Sequence, residues 1–317
     1  DTNDLAAVAA GLTAGTSSPA YVAAAAIASQ SPKIAQIALG NEEGGDTDMT
    51  ETLTEIFLES QNFYGVVTAE RDVTKQTDAA AWCLANKRLY CTAEATANAV
   101  DEADGVDTTS LAYIFKAASN DRVSTFFKGD AATKYTDAAY LGQVLALIIG
   151  NWSGMAKTLP GEVIDDLTTT QVTNAHAKYC NTYEERGEVN VVLNGWVSSG
   201  EFTDIIVFVD WLQARIQENI WNLYVNSTKI PYTDGGATSI ENAITQVLKI
   251  GQEQGGITPL SFDTATKLQT GGFVVEMPEV ANALPADKAA RIYKNVKFTC
   301  WYSNGIHRVE IQGTVVL

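Results

Sequence analysis

Tyr64-Gly-Val-Val-Thr-Ala-Glu-Arg-Asp-Val-Thr-Lys-Gln-Thr-Asp-Ala-Ala-Ala-Trp-Cys-Leu-Ala-Asn-Lys-Arg-Leu-Tyr-Cys-Thr92 reads as strand, helix, strand. Tyr64–Thr68 and Arg88–Thr92 are short runs of β-branched and aromatic residues, and Asp78–Lys87 between them has a helical pattern. A crossover of this length joins parallel strands, because two antiparallel strands need only a tight turn. The same alternation extends on both sides. Upstream, Ala20–Gln30 is an Ala-rich helix entered through Ser18 and Pro19, and Lys33–Leu39 reads as a buried strand. Gly40–Asp48 is an acidic, glycine-rich loop, and Thr50–Ser60 is a helix with Leu53, Ile56, Phe57 and Ser60 on one face. Downstream come a helix over Thr108–Ala118 capped by Asp107, a strand over Arg122–Phe127 and a helix over Asp137–Ile149. The β-α repetition predicts a mostly parallel sheet with flanking helices.

The second half has another pattern. Asn151–Asp166 is loop-rich, and Thr168–Tyr183 reads as a helix. Glu188–Val192 and Gly195–Ser198 read as a hairpin bent at Asn194-Gly195. The longest helix spans Thr203–Asn226, with Ile205, Phe208, Val209, Leu212, Ile216, Ile220 and Leu223 in one apolar stripe. Ser239–Gly251 is a further helix. Phe273–Pro278, Val296–Ser303 and His307–Leu317 are strands, the last two joined at Asn304-Gly305. The fold class expected is therefore α/β plus α+β: a domain over residues 1–150 with a mostly parallel sheet, and one over 151–317 with a mixed or antiparallel sheet and a long helix.

The segment from His307 to the last residue alternates strictly. Val309, Ile311, Val315 and Leu317 share one face, and Arg308, Glu310, Gln312 and Thr314 the other. A strand with no segment after it leaves an edge that pairs in its own sheet or with another chain.

The chain has 317 residues, 46% of them hydrophobic, and a formal charge of −17 at pH 7. No apolar run reaches the roughly 18–20 residues of a membrane span, and no basic region precedes the Ala-rich start as a signal peptide would require. Spread acidity favours solubility and argues against a sequence-independent grip on nucleic acid. The start at Asp1 points to residues missing ahead of it. Four cysteines, Cys83, Cys91, Cys180 and Cys300, form no CxxC pair and read as buried free thiols.

Candidate chemistry is sparse. Gly11-Leu-Thr-Ala-Gly15 is neither G-x-G-x-x-G nor a P-loop. The carboxylates of the Gly40–Asp48 loop would repel a phosphate. His176 and Cys180 lie four apart on a helix-like stretch but lack further metal ligands, and neither His176 nor His307 sits near a nucleophile elbow. Asp165/Asp166, Glu42/Glu43 and Glu184/Glu185 read as solvated neighbours. No catalytic residue, metal ligand or cofactor is expected. Trp211, Arg215, Glu218 and Trp221 flank the core stripe of the long helix. Arg215 is placed to stack on Trp211 and to pair with Glu218, either as a flank of the core or as a subunit contact.

Several passages, in order, resemble the tail sheath proteins of contractile-tailed bacteriophages. They are Ser18-Pro-Ala-Tyr21 with Ser29-Gln-Ser-Pro-Lys33, Phe63-Tyr-Gly-Val-Val67, Ala81-Trp82 with Asn86-Lys-Arg-Leu89, and Lys157-Thr-Leu-Pro-Gly161 leading to Asp166-Leu-Thr168. The strongest runs from Ser199-Gly-Glu-Phe-Thr-Asp204 through Asp210-Trp-Leu-Gln-Ala-Arg-Ile-Gln-Glu218 to Lys229-Ile-Pro-Tyr-Thr-Asp234, and Ile306-His-Arg-Val-Glu-Ile-Gln-Gly-Thr-Val315 closes the series. The resemblance implies a non-enzymatic virion subunit assembled in the host cytoplasm. It would polymerise as stacked six-fold rings of itself around a tail tube, with baseplate and tail terminator proteins as further partners and with neither direct nucleic-acid binding nor membrane insertion. Contraction would drive the tube through the host envelope. The first domain would face outward, the second would be the assembly domain, and Val309, Ile311, Gly313, Val315 and Leu317 would join an inter-subunit strand. An N-terminal linking segment, usual in the family, would precede Asp1. The alternatives are a soluble α/β enzyme with a site at the carboxyl ends of the first-half strands and an acidic extracellular adhesin-like module.

Overall fold

The computed structural model describes residues 15–41 and 48–309. The chain divides into two compact units, Asp1–Leu147 with Trp152–Ile206, and Ile148–Asn151 with Val207–Leu317.

In the first unit the helices are α1 (Pro19–Ala28), α2 (Met49–Glu59), α3 (Val73–Asn86), α4 (Asn98–Asp101), α5 (Leu111–Ala117), α6 (Thr136–Leu145) and α7 (Thr169–Ala177). The strands β1 (Gly65–Val67), β2 (Leu89–Glu94) and β3 (Val123–Phe127) form a parallel sheet in the order β1-β2-β3. Val66 lies opposite Tyr90, and Cys91 opposite Ser124. Every residue of β2 and β3 is buried, as expected of a parallel sheet covered on both faces. Successive β1 side chains show both covers. Val66 joins a cluster with Leu53, Trp82 and Phe115 from α2, α3 and α5, whereas Val67 packs with Ala23, Ile27 and Ala138 from α1 and α6. The α1–α6 crossing depends on Gly142, where a Cβ would stand 3.0 Å from the Ile27 backbone.

A hairpin follows, β4 (Tyr183–Arg186) with β5 (Val189–Val192), paired antiparallel. It turns at Gly187-Glu188, both at positive φ (59° and 65°), the two-residue turn with the twist that hairpins favour. The sequence reading put the bend at Asn194-Gly195. Gly195 has another task, its N–H and that of Trp196 donating to Asn181 Oδ1 at 2.9 and 2.8 Å. The helix expected over Thr168–Tyr183 ends at Ala177, and Tyr179 takes φ +55°. Beyond it Phe126 bridges Asn181 in parallel, and Ser198 N–H donates to the Val123 carbonyl at 2.8 Å. Residues 152–206, read from sequence as part of the second half, therefore pack beside β3 in the first unit.

In the second unit lie most of α8 (Thr203–Asn226), all of α9 (Asp234–Glu253) and α10 (Pro285–Ala290), and the antiparallel pair β6 (Phe273–Glu276) and β7 (Lys297–Cys300). Phe208 and Leu212 of α8 and Ile244, Val247 and Leu248 of α9 form its core, with Ile257, Phe273 and Val275 against them. Asn219 Nδ2 donates to the Ala243 carbonyl at 2.7 Å, fixing the register of the two helices. A two-stranded ribbon is marginal alone, and this packing is what holds β6 and β7.

Two further expectations are corrected, and a third lies largely outside the described residues. Lys33–Leu39 is irregular and mostly exposed; its apolar run finds no partner strand among the described residues. The helix after Asp107 starts at Leu111 and is capped by Ser110, whose Oγ accepts from Tyr113 N–H. The strand at 297–300 pairs with β6 and His307–Val309 carries no strand, while the rest of the expected His307–Leu317 strand, on which the hairpin at Asn304-Gly305 depends, lies outside the described residues.

Candidate assembly surfaces

The long helix α8 separates its aromatic residues. Trp211 is half-buried and stacks on Phe208, centroids 5.8 Å apart, so its face is taken by the core rather than by Arg215. Arg215 Nη2 does pair with Glu218 Oε1, at 2.7 Å, with both side chains exposed. An exposed pair of this kind contributes about 0–1 kcal/mol. Trp221 is 67% exposed, and Tyr224 and Val225, three and four residues on, are exposed with it. The four residues singled out on this helix thus divide into a core flank (Trp211), a solvated ion pair (Arg215, Glu218) and an open aromatic surface (Trp221). Sequence periodicity had not resolved that division, because helical spacing gives a face but not what covers it.

At the end of the described chain, Ile306 and Val309 are both strongly exposed. Ile311, Gly313, Val315 and Leu317 lie outside the described residues, so the expected strand is represented by Val309 alone.

The second unit also contains a cavity of about 770 Å³ that the sequence reading missed. Its walls come from α8 (Ile220, Tyr224), from the Lys229–Thr233 turn and α9 (Ile240, Ile244), and from the segment around Tyr293. Tyr232 and Tyr293 meet edge to face at 5.6 Å. Tyr232 Oη donates to the Ile292 carbonyl at 3.2 Å, and Tyr293 Oη donates to the Pro278 carbonyl. The only sequence signal was the Lys229-Ile-Pro-Tyr-Thr-Asp234 turn, noted above for its resemblance.

The buried polar groups of the first unit hold its fold together. At the carboxyl end of β2, Glu94 accepts from the N–H groups of Leu111 (3.0 Å) and Ala112 (2.7 Å), gripping the start of α5. Burial raises its pKa, and those bonds oppose the rise. Just beyond β3, Lys128 donates to the Val163 carbonyl at 3.0 Å and pairs with Asp165 at 3.2 Å. The carboxyl ends of β2 and β3 are thus engaged in internal bonds. Lys178 and Asp107, both fully buried, meet at 3.0 Å, and Lys178 also donates to the Asn98 and Glu102 carbonyls. Burial works against the Asp107 carboxylate, but the Ser110 hydroxyl, the Thr109 and Ser110 N–H groups and Lys178 outweigh it and hold its pKa well below the usual range. Arg71 grips Asp137 through two bonds of 2.8 Å and lies 4.5 Å from the Tyr135 ring centroid.

His176 Nε2 bonds Thr182 Oγ1 at 2.8 Å. Burial, then Arg186, lowers its pKa to about 4; Glu184, 4.0 Å away, is itself paired with Arg186 at 2.8 Å. Cys180 is fully buried in a separate apolar cluster, and burial pushes its thiol well up. All four cysteines are free thiols.

Residues 203–315 match the family model described as E217 tail sheath protein gp31-like, C-terminal domain. A comparison with curated proteins finds no match by sequence. Among solved structures, the chain resembles the sheath complex of an extracellular contractile injection system (PVC) in the contracted state. The TM-score is 0.59 at 14% identity, covering 84% of this chain and 74% of that one. It also resembles the helical sheath of the anti-feeding prophage (AFP) in the contracted state, with a TM-score of 0.56 at 11% identity, covering 86% and 76%. The matched region opens at Thr203, the first residue of α8, and spans nearly all of the second unit. The fold is therefore similar to that of the subunits in these two contractile sheaths, and residues 203–315 are similar to a tail sheath C-terminal domain.

Proposed function

We propose that this protein is a structural subunit of a contractile tail sheath, polymerising with copies of itself around a tail tube. The observation that carries the reading is the coincidence of the family match over residues 203–315 with a compact unit that leaves aromatic surface uncovered on α8. The two solved sheaths with a similar fold support it from the other side, because their likeness extends over the first unit as well.

In this reading the subunits stack as six-fold rings in the tail of a bacteriophage. Baseplate and terminator proteins bound the sheath, and contraction drives the tube through the host envelope during genome delivery. Head-to-tail contacts between identical chains build helices of this kind. Residues 151–317 serve as the assembly domain, residues 1–150 face outward, and Val309–Leu317 adds as a strand to a neighbouring subunit. Trp221, with Arg215 and Glu218 beside it, lies at a subunit contact. The role is structural and calls for no catalysis or cofactor.

Negative-stain microscopy of the purified full chain tests the proposal. Tubes or six-fold rings are expected as concentration rises. A protein that stays monomeric in light scattering at high concentration would overturn it. Deleting residues 309–317 is expected to block assembly and preserve the fold by circular dichroism; normal tubes from that variant would remove the strand-addition step.

A further inference from the structure

We propose that the second unit's cavity is the seat for the exposed end of α2 from a second copy of the chain. Leu58 would enter the apolar interior, and Glu55 and Glu59 would pair with cations at the rim. This rests on the self-assembly reading above and names one of its contacts.

The receiving side is preformed and has an unusual charge for this chain. The cavity lining includes Lys229, Lys288 and Arg291. All three are exposed, and none forms an ion pair with a carboxylate among the described residues. Three such cations around one apolar hollow stand out in a chain with 38 acidic and 21 basic residues. Arg291 is the carboxyl cap of α10 and sits at φ +59°, a left-handed position that glycine or asparagine fills at lower cost. The turn is closed by bonds from Arg291 N–H to the Lys288 carbonyl (3.2 Å) and from Ile292 N–H to the Asp287 carbonyl (2.9 Å). That cap places Lys288 and Arg291 together on the cavity lining, and the edge-to-face pair Tyr232 and Tyr293, each donating to a backbone carbonyl, holds the adjoining wall.

The entering side is complementary. α2 carries Glu51, Glu55 and Glu59 at i, i+4 and i+8, all exposed, and the helix contains no basic residue. Leu58 is 76% exposed between Glu55 and Glu59. From Leu58 through Asn62 every residue is exposed, so the end of α2 is an open helix tip. A hollow of about 770 Å³ exceeds one leucine side chain and has room for such a tip. An apolar residue flanked by carboxylates fits an apolar hollow rimmed by cations, and opposite charges at that rim set partner and register.

The test is a charge swap read by sedimentation equilibrium of the full chain at low salt. Lys288→Glu with Arg291→Glu is expected to weaken self-association at least tenfold, and Glu55→Lys with Glu59→Lys to do the same. Combining all four should recover most of the loss, and Leu58→Asp should abolish the contact. Each altered side chain is exposed, so thermal midpoints should stay near wild type; if a reversal fails to fold, the neutral pair Lys288→Gln and Arg291→Gln replaces it. A combination no better than either reversal alone overturns the proposal, as do reversals without effect. Wild-type tubes with unaffected reversals sink this contact and leave the sheath reading standing, whereas a strictly monomeric wild type sinks both. Stabilisation of a monomeric protein by decanoate, lost on Arg291→Glu, would make the cavity a small-anion pocket and overturn the docking.

Discussion

The two units solve the burial problem differently. The first encloses its sheet on both faces and buries charges in pairs, Lys178 with Asp107 and Arg71 with Asp137. The second has a core of two helices and a ribbon, and leaves Trp221, Tyr224, Val225, Phe262 and Ile306 exposed. A large exposed aromatic group costs solubility unless something covers it. The contrast separates a unit built around a sheet covered on both faces and buried ion pairs from one that leaves aromatic surface open on its long helix.

That contrast can be broken most severely at the buried ion pair. Asp107→Ala leaves Lys178 charged and unpaired in the interior, an expected loss of about 3–5 kcal/mol. Hydrogen exchange should rise in β2 and α5 and not in α9; equal loosening of both units would contradict the division. The pair also sets a pH response. The folded pKa of Asp107 lies below its unfolded value, so its contribution is complete above the unfolded pKa, about 4, and is lost as pH falls toward the folded one. Urea midpoints measured between pH 5 and pH 2 should show the decline, and Asp107→Asn should flatten it.

The matching break in the second unit is Phe208→Ala. Phe208 is buried, stacks on Trp211 and packs 5.2 Å from Tyr302, so the expected loss is about 3–5 kcal/mol. Exchange should then rise in α8 and α9. A smaller effect is expected from Gly142→Val in the first unit, about 1–3 kcal/mol, because the added atoms meet the Ile27 backbone at 3.0 Å as well as its Cγ2 at 2.9 Å, and the backbone cannot swing aside.

How much of this was legible in the sequence differs between the units for a physical reason. α8 was read with its observed bounds, Thr203–Asn226, because a long apolar stripe is a repeated signal. The strands β1, β2 and β3 fell close to their expected places because buried runs bounded by turns carry local evidence. The missed features depend on distant residues. Helix α7 stops where Lys178 turns in to Asp107, and Gly195 is held by Asn181 instead of making a hairpin turn. The real turn places Glu188 at φ 65°, an assignment no turn propensity would favour. The cavity was invisible for the same reason, since its walls are drawn from residues 220 to 296.

His176 gives a milder test of the first unit. Its folded pKa of about 4 lies below the ordinary value of 6.5. The unfolded chain therefore binds the proton more readily, and stability should fall as pH drops from about 6.5 toward 4. His176→Gln is expected to remove that slope, leaving the Asp107 decline at lower pH. An unchanged profile would mean that the imidazole is solvated rather than buried.

The smallest effect on stability and the most informative about assembly is expected at Trp221. Its side chain is 67% exposed, so Trp221→Ala should change the unfolding free energy by no more than about 0.5 kcal/mol. If the open face of α8 is finished by another chain, the same substitution should weaken self-association by tenfold or more, because buried tryptophans dominate contact energies. Comparing Trp221→Ala with Trp211→Ala isolates the cause. Trp211 stacks on Phe208, so its loss should lower the melting temperature first and assembly only as a consequence. Measured side by side in thermal melts and sedimentation, the two tryptophans should move opposite readouts. If both act through stability alone, the exposed face of α8 is only surface, and the difference between the units is one of core size rather than of purpose.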